Sequence, residues 1–169
     1  MAQIARKYQR VIAVAGCHGK SSTTAMIGSI FQQAGQYPTV HNGVQNNLFI
    51  GSKQWFITEA CEFRKSFLKL KPSIAVVTNV DADHLDCYRD LDDIKKCFAK
   101  FAQQSDILIK SATDPNSFHL HGKKQTITFG IDYGDVHAKN LKQLSQGGYQ
   151  FDLVVNPKIF GTYYAMPNF

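Results

Sequence analysis

Residues 11–24 read Val-Ile-Ala-Val-Ala-Gly-Cys-His-Gly-Lys-Ser-Ser-Thr-Thr, and no other passage restricts the fold as much. Five consecutive apolar residues, too few for a helix and not alternating, describe a strand buried on both faces. Glycines at 16 and 19 permit a tight turn, and the hydroxyl-rich run that follows opens a helix. Unpaired N–H groups at such a helix start point at an anion, and the helix dipole adds to the attraction. Lys20 would reach the β and γ phosphates of a nucleotide, and the Ser21 hydroxyl would ligate Mg²⁺. The eight-residue phosphate-loop pattern asks for Gly six positions before the Lys, where Val14 stands, so what remains is G-x-x-G-K-S. The competing reading is a Gly-rich turn that binds nothing. A Lys-Ser pair followed by three more hydroxyl residues weighs against it, because packing alone has no use for them.

The rest of the chain fits that beginning. A helix over residues 20–34, with Ala25, Met26, Ile30 and Phe31 as its apolar positions, stops at Gly35. Strands are predicted over 54–58 and 74–78, and Asp90 caps a helix whose Leu91, Ile94, Phe98 and Phe101 keep a helical period. Two further strands follow at 106–109 and 125–129. Strands alternating with helices describe α/β architecture, a mostly parallel P-loop-type sheet flanked by helices. From about residue 135 the texture changes to two strand-like runs, 137–144 and 149–155, joined by Ser145-Gln-Gly-Gly148. A small antiparallel annex near the C-terminus is therefore expected on the core. The expected limits are about 10–130 for the core and 131–169 for the annex.

Composition narrows the class. With 169 residues the chain suits one domain or one with a small annex. At 44% hydrophobic and 12% aromatic it is neither disordered nor low-complexity. A formal charge of +6, from 19 Lys and Arg against 13 Asp and Glu, suits an anionic partner, but the cations are scattered, with no run and no aromatic-basic signature for nucleic acid. Cys17, Cys61, Cys87 and Cys97 lie apart, read as small buried or half-buried residues, and point to a reducing, cytosolic compartment. No apolar run reaches the length of a signal-peptide core or a membrane span.

Ligands of an open parallel sheet sit beyond the carboxyl ends of its strands. Two acidic groups fall there. Glu59 ends the strand at 54–58, and Asn79 is followed by Asp81, Asp83, His84 and Asp86. A phosphate-loop hydroxyl, one carboxylate and phosphate oxygens suffice for Mg²⁺, and Glu59 is the carboxylate best placed, unless it is simply a solvated acid at a strand end. The Asp-x-Asp-His-x-Asp cluster has three readings: a strand-end acid, a capped turn, or a second metal site. Imidazole in that site would suit Mn²⁺ better than Mg²⁺. His41, His119 and His121 read as polar loop or helix-end residues.

Three segments carry a family resemblance: Ala15-Gly-Cys-His-Gly-Lys-Ser-Ser-Thr-Thr24, Glu59-Ala-Cys-Glu-Phe-Arg-Lys-Ser-Phe-Leu68 and Thr78-Asn-Val-Asp-Ala-Asp-His-Leu-Asp-Cys-Tyr88. In order and spacing they resemble the central ATPase domain of the Mur ligases, above all the branch that joins L-alanine to UDP-N-acetylmuramate. The resemblance spans nearly the whole chain. It implies an ATP-dependent carboxylate–amine ligase of peptidoglycan and cell-wall synthesis, in which ATP phosphorylates a muramoyl carboxylate and an amine displaces phosphate from the acyl phosphate. It implies nucleotide contacts at Gly16, Cys17, His18, Gly19, Lys20, Ser21, Ser22 and Asn79, metal ligands Ser21, Glu59 and His84, and catalytic roles for Lys20, Glu59 and His84. Cys17 stands where many relatives have Thr, and Cys61 where some have Asp; neither replaces a group that this chemistry needs.

The family has a uridine-nucleotide domain before this one and an amine and nucleotide domain after it. Both are expected to be absent here, so the chain alone should bind phosphate yet show little or no ligase turnover. A neighbouring reading within the family attaches a preformed peptide to UDP-N-acetylmuramate. A reading from another class, a GTPase-like switch module, would want N-K-x-D, whereas Asn79 is followed by Val80 and Asp81.

Overall fold

The computed structural model describes residues 1–43, 48–82 and 87–166. Its elements run α1 (Ala2–Ala5), β1 (Arg10–Ala15), α2 (Lys20–Gln33), β2 (Thr39–His41), β3 (Leu48–Phe49), β4 (Trp55–Glu59), β5 (Ile74–Val77), α3 (Leu91–Ala102), β6 (Ile107–Ser111), β7 (Gln125–Ile131), β8 (Val136–Gln143), β9 (Tyr149–Val155) and β10 (Lys158–Ala165). Two compact units divide the chain, Met1–Lys110 with Asp114–Thr126, and Ser111–Thr113 with Ile127–Phe169.

In the first unit the strand order is β6-β5-β1-β4-β2-β3, parallel throughout except for the antiparallel pair β2–β3. Strand β1 is central, and its residues alternate between two cores. Val11, Ala13 and Ala15 join Phe56, Ala75, Val77, Phe67, Phe98, Phe101 and Leu108 on one face. Ile12 and Val14 join Val40, Ile57 and Val76 on the other, under Ile27 and Phe31 of α2. A strand covered on both sides has no use for polar alternation, which is why residues 11–15 are uninterruptedly apolar.

Each helix covers one face. Helix α3 buries Ile94, Cys97, Phe98, Phe101 and Ala102, spaced as one stripe, and Asp90 caps it by accepting from Asp93 N at 2.8 Å. Helix α2 corrects the sequence reading. Ala25, Met26 and Ile30 are exposed, Met26 by 56% and Ile30 by 62%, while Thr24, Ile27, Gly28 and Phe31 face the sheet. Gly28 explains the rotation: a Cβ there would meet Val40 Cγ2 at 2.9 Å, so the helix lies closest to the sheet where it has no side chain. It ends as expected, with Gly35 left-handed at φ 71° and Gln36 N donating to Phe31 O at 2.9 Å. Of the cysteines, Cys17 and Cys97 are buried and Cys87 half-buried, whereas Cys61 is exposed, contrary to expectation, because its side chain faces outward between the buried Ala60 and Glu62.

The second unit has strand order β7-β8-β9-β10, with β8, β9 and β10 antiparallel as expected. Strand β7 pairs with β8 in parallel, Phe129 opposite Val136, across a link of only residues 132–135. Such a link is far shorter than a usual crossover, and specific contacts hold it. Asp132 and Gly134 take positive φ, 61° and 111°, and Asp132 N donates to Ala138 O at 2.9 Å. The Asp135 carboxylate accepts from both Thr128 N and Thr128 Oγ1 at 2.8 Å. Those bonds favour the carboxylate and hold its pKa below the ordinary value.

Asp135 therefore adds stability above the unfolded carboxylate pKa of about 4, and that contribution is lost as pH falls through the lower folded value. Asp135→Asn is expected to lower the urea midpoint at neutral pH, with the difference from the parent chain shrinking at about pH 3. A difference independent of pH would contradict this assignment.

Candidate functional site

The parallel register aligns three strand ends. Val14 lies opposite Glu59 and Ala15 opposite Val77, and the ladder continues with Ala60 N on Val14 O at 2.8 Å and Thr78 N on Ala15 O at 3.0 Å. The loop of residues 16–19 therefore leaves β1 between the ends of β4 and β5. Gly16 takes φ 141°, and a Cβ there would strike the Thr78 hydroxyl and approach Asn79 O at 3.0 Å. Gly19 caps α2 in the left-handed region at φ 79°, with no side-chain capping bond and no atom within 4 Å of where a Cβ would stand. The first turn of α2 thus begins without a side-chain cap on its N–H groups, the arrangement that receives an anion.

The strand β5 end grips this loop. Asn79 spends its amide on the His18 peptide, accepting from His18 N at 2.9 Å and donating to His18 O at 3.0 Å. Thr78 Oγ1 donates to the same carbonyl at 2.7 Å. Cys17 Sγ accepts from Asp81 N at 3.1 Å and donates to Asp81 O at 3.3 Å. Asn79 and Cys17 shape the loop through these bonds, while the His18 side chain and Ser22 are exposed.

Lys20 is engaged more deeply than the sequence suggests. Its Nζ donates to Gly16 O at 2.6 Å, to Cys17 O at 3.3 Å and to Glu62 Oε1 at 2.9 Å, so each ammonium proton has an acceptor. The Lys20 side chain is 12% exposed and that of Glu62 1%. A direct bond from Lys20 to a phosphate requires exchanging one of these. Sequence reasoning missed Glu62, because nothing local in Glu59-Ala-Cys-Glu62 tells which acid meets the loop. The chain turns sharply just after it, with Arg64 and Lys65 both left-handed at φ 50° and 55°. Tyr88 fixes the same turn by donating its hydroxyl to Glu62 O at 2.6 Å, and burial raises its pKa so that it stays a neutral donor.

Glu59 meets Ser21. Ser21 Oγ donates to Glu59 Oε2 at 2.8 Å, and Gly43 N donates to the same oxygen at 3.0 Å. A Cβ on Gly43 would lie within 2.9 Å of the carboxylate, so this close approach needs glycine. The pair offers two hard oxygens at the start of α2. Among the described residues no group of three or more His, Cys, Asp and Glu could hold a metal by itself. Mg²⁺ fits this donor set, since it binds through one or two protein oxygens and fills its octahedron with phosphate and water. His84, with Asp83 and Asp86, lies outside the described residues.

His41 proves to be a β2 residue rather than a loop residue. With Gly43, Glu59, Cys61, Ser66 and Lys69 it lines a cavity of about 410 Å³ beside the Ser21–Glu59 pair. Its Nδ1 lies 3.2 Å from Thr58 Oγ1. Burial lowers its pKa, and the charge of Glu59 opposes that shift. The cavity thus joins a carboxylate, a hydroxyl and an imidazole at the edge of an anion site. His119 is exposed and outside this site, as is His121.

The Mur ligase middle domain family matches residues 14–166. A UDP-N-acetylmuramate–L-alanine ligase of Clostridium botulinum strain Hall is 37% identical over 99% of this chain and 39% of its own length. One from Clostridium tetani is 39% identical over 88% of this chain and 35% of its own length. The chain thus spans about two fifths of the length of these relatives. Among solved structures, the UDP-N-acetylmuramate–alanine ligase MurC of Thermotoga maritima matches with a TM-score of 0.82 at 24% identity, over 96% of this chain and 38% of the other. The MurF ligase of the same organism, in complex with ADP, matches with a TM-score of 0.77 at 17% identity, over 98% of this chain and 43% of the other.

The Lys20–Glu62 pair is nearly dry, and removing one partner strands a charge. Glu62→Ala is expected to cost about 3 kcal/mol in denaturant unfolding, with Glu62→Gln costing less. A cost near zero for both would mean that Lys20 does not depend on this partner.

Proposed function

The chain belongs to the Mur ligases through their middle domain, and from that premise we propose that it is the nucleotide-binding part of an ATP-dependent UDP-N-acetylmuramate–L-alanine ligase of peptidoglycan synthesis. The observation that carries the reading is the convergence of Ser21 and Glu59 at the uncapped start of α2. That the curated relatives are L-alanine ligases supports the choice of acceptor and amine.

A carboxylate is a poor electrophile, and it and the γ-phosphate repel one another. The N–H groups of residues 19–22 receive the phosphates and the α2 dipole offsets their charge. The exposed His18 side chain and Ser22 border the same phosphates. Lys20 holds the loop closed and brings a cation to the transferring phosphoryl, exchanging a loop carbonyl for a phosphate oxygen. Ser21 and Glu59 would hold Mg²⁺, and His84 would be the ligand of a second divalent ion; such ions would supply positive charge against the phosphates. The cavity lined by His41, Glu59 and Ser66 holds the acceptor carboxylate in line for transfer. Amine attack on the resulting acyl phosphate then forms the amide and releases phosphate. The uridine-nucleotide and amine sites belong to the family's other two domains, so residues 1–169 on their own are expected to bind nucleotide without turnover.

Titrating Mg-ATP into the chain by calorimetry tests this. Saturable heat is expected, abolished in Lys20→Ala, which leaves the Glu62 charge facing the phosphates, and weakened in Glu59→Gln only when magnesium is present. GTP is expected to compete poorly. Absence of binding both here and in the full-length ligase would refute the reading, and tight GTP binding would favour a switch module.

A further inference from the structure

One turn holds the peptide of Val80 at both of its polar atoms. Asp114 Oδ2 accepts from Val80 N at 2.9 Å, and Asn116 Nδ2 donates to Val80 O at 2.8 Å. Val80 is 2% exposed, so water is no substitute for either bond. Its two chain neighbours are Asn79 and Asp81, the residues that grip His18 and Cys17. Moving Val80 by a few tenths of an ångström moves both grips, and hydrogen bonds are intolerant on that scale.

The turn is itself fixed from behind. Asp114 Oδ1 accepts from Asn116 N at 3.1 Å, and Ser117 Oγ donates to Asp114 O at 2.9 Å. Lys110, at the end of β6 and 6% exposed, donates to Ser117 O at 2.9 Å and Phe118 O at 2.8 Å. A buried ammonium spent on two main-chain carbonyls orders a backbone rather than binding a ligand. Burial lowers its pKa, and the charge of Asp114 counteracts that. A continuous series of bonds therefore runs from Lys110 through the 114–118 turn and Val80 to the phosphate loop, which Asp114 and Asn116 reach through Val80.

We infer that Asp114 and Asn116 are positioning residues of the phosphate loop: through Val80 they set where Asn79 and Asp81 hold Cys17 and His18, and so tune how tightly the loop takes a nucleoside triphosphate. The affinity part rests on the nucleotide-binding reading above; the geometric part does not. It predicts a local effect, distinct from the general loosening that any destabilising substitution gives.

Amide hydrogen exchange separates the two. In Asn116→Ala and Asp114→Ala the amides of Cys17 and His18 are expected to exchange about tenfold faster, with Asp114→Asn, which keeps an acceptor for Val80 N, nearer the parent. Ile94→Val, in the core on α3, serves as a control of comparable melting temperature and leaves them unchanged. Cys17 and His18 amides that respond no more to the turn substitutions than to Ile94→Val would overturn the inference. Mg-ATP affinity, measured in the same variants well below melting, is expected to fall about tenfold and to fall no further when Asn79→Ala is added. Additive losses would also overturn it. If the parent chain binds no Mg-ATP, the nucleotide reading fails while the exchange result still decides the positioning role.

Discussion

The need to bury β1 on both faces governs the rest of the first unit. Residues 11–15 are all buried, with odd positions in one core and even positions in the other. Only a strand inside a parallel sheet, with helices on both sides, meets that demand. Once it is met, the chain must leave β1 at the carboxyl edge between β4 and β5 and return over one face as α2. The turn that makes this reversal is also where unpaired N–H groups gather. An anion site at the start of α2 is thus a consequence of how the core is covered.

What surrounds that turn is a set of grips of different chemistry. Asn79 holds the His18 peptide, Asp81 the Cys17 thiol, and Lys20 ties two loop carbonyls to Glu62. Hydrogen bonds from side chains fix a loop that, having two glycines with positive φ, would otherwise be free to take other shapes. Preorganisation of this kind lets dipoles face a phosphate without rearrangement, which is where such sites gain their strength. The Ser21–Glu59 pair adds two hard oxygens at the same edge.

The elements legible in the sequence were those whose signals are local. Strand β1, the glycines, Lys20 and Ser21 lie within a dozen residues and were readable, as were α3 with its Asp90 cap and the β8–β9 hairpin. Three features escaped because they depend on distant partners. The buried face of α2 follows from Gly28 meeting Val40, so Ala25, Met26 and Ile30 pointed to the wrong side while Phe31 was placed rightly. Glu62 rather than Glu59 pairs with Lys20, a choice made by the left-handed turn at Arg64 and Lys65. The parallel pairing of β7 with β8 across four residues needs the Asp135–Thr128 bonds, which no turn rule anticipates. Strands β2 and β3 are too short to carry a pattern of their own.

The central claim is that a nucleotide's phosphates bind at the N–H groups opening α2. Backbone amide chemical shifts, followed as Mg-ADP is added to the isotopically labelled chain, test it most directly. The account predicts that the largest perturbations fall on Gly19, Lys20, Ser21 and Ser22, with those of strands β8, β9 and β10 unmoved. Perturbations centred on those strands, or none at saturating nucleotide in a chain that is folded, would contradict it.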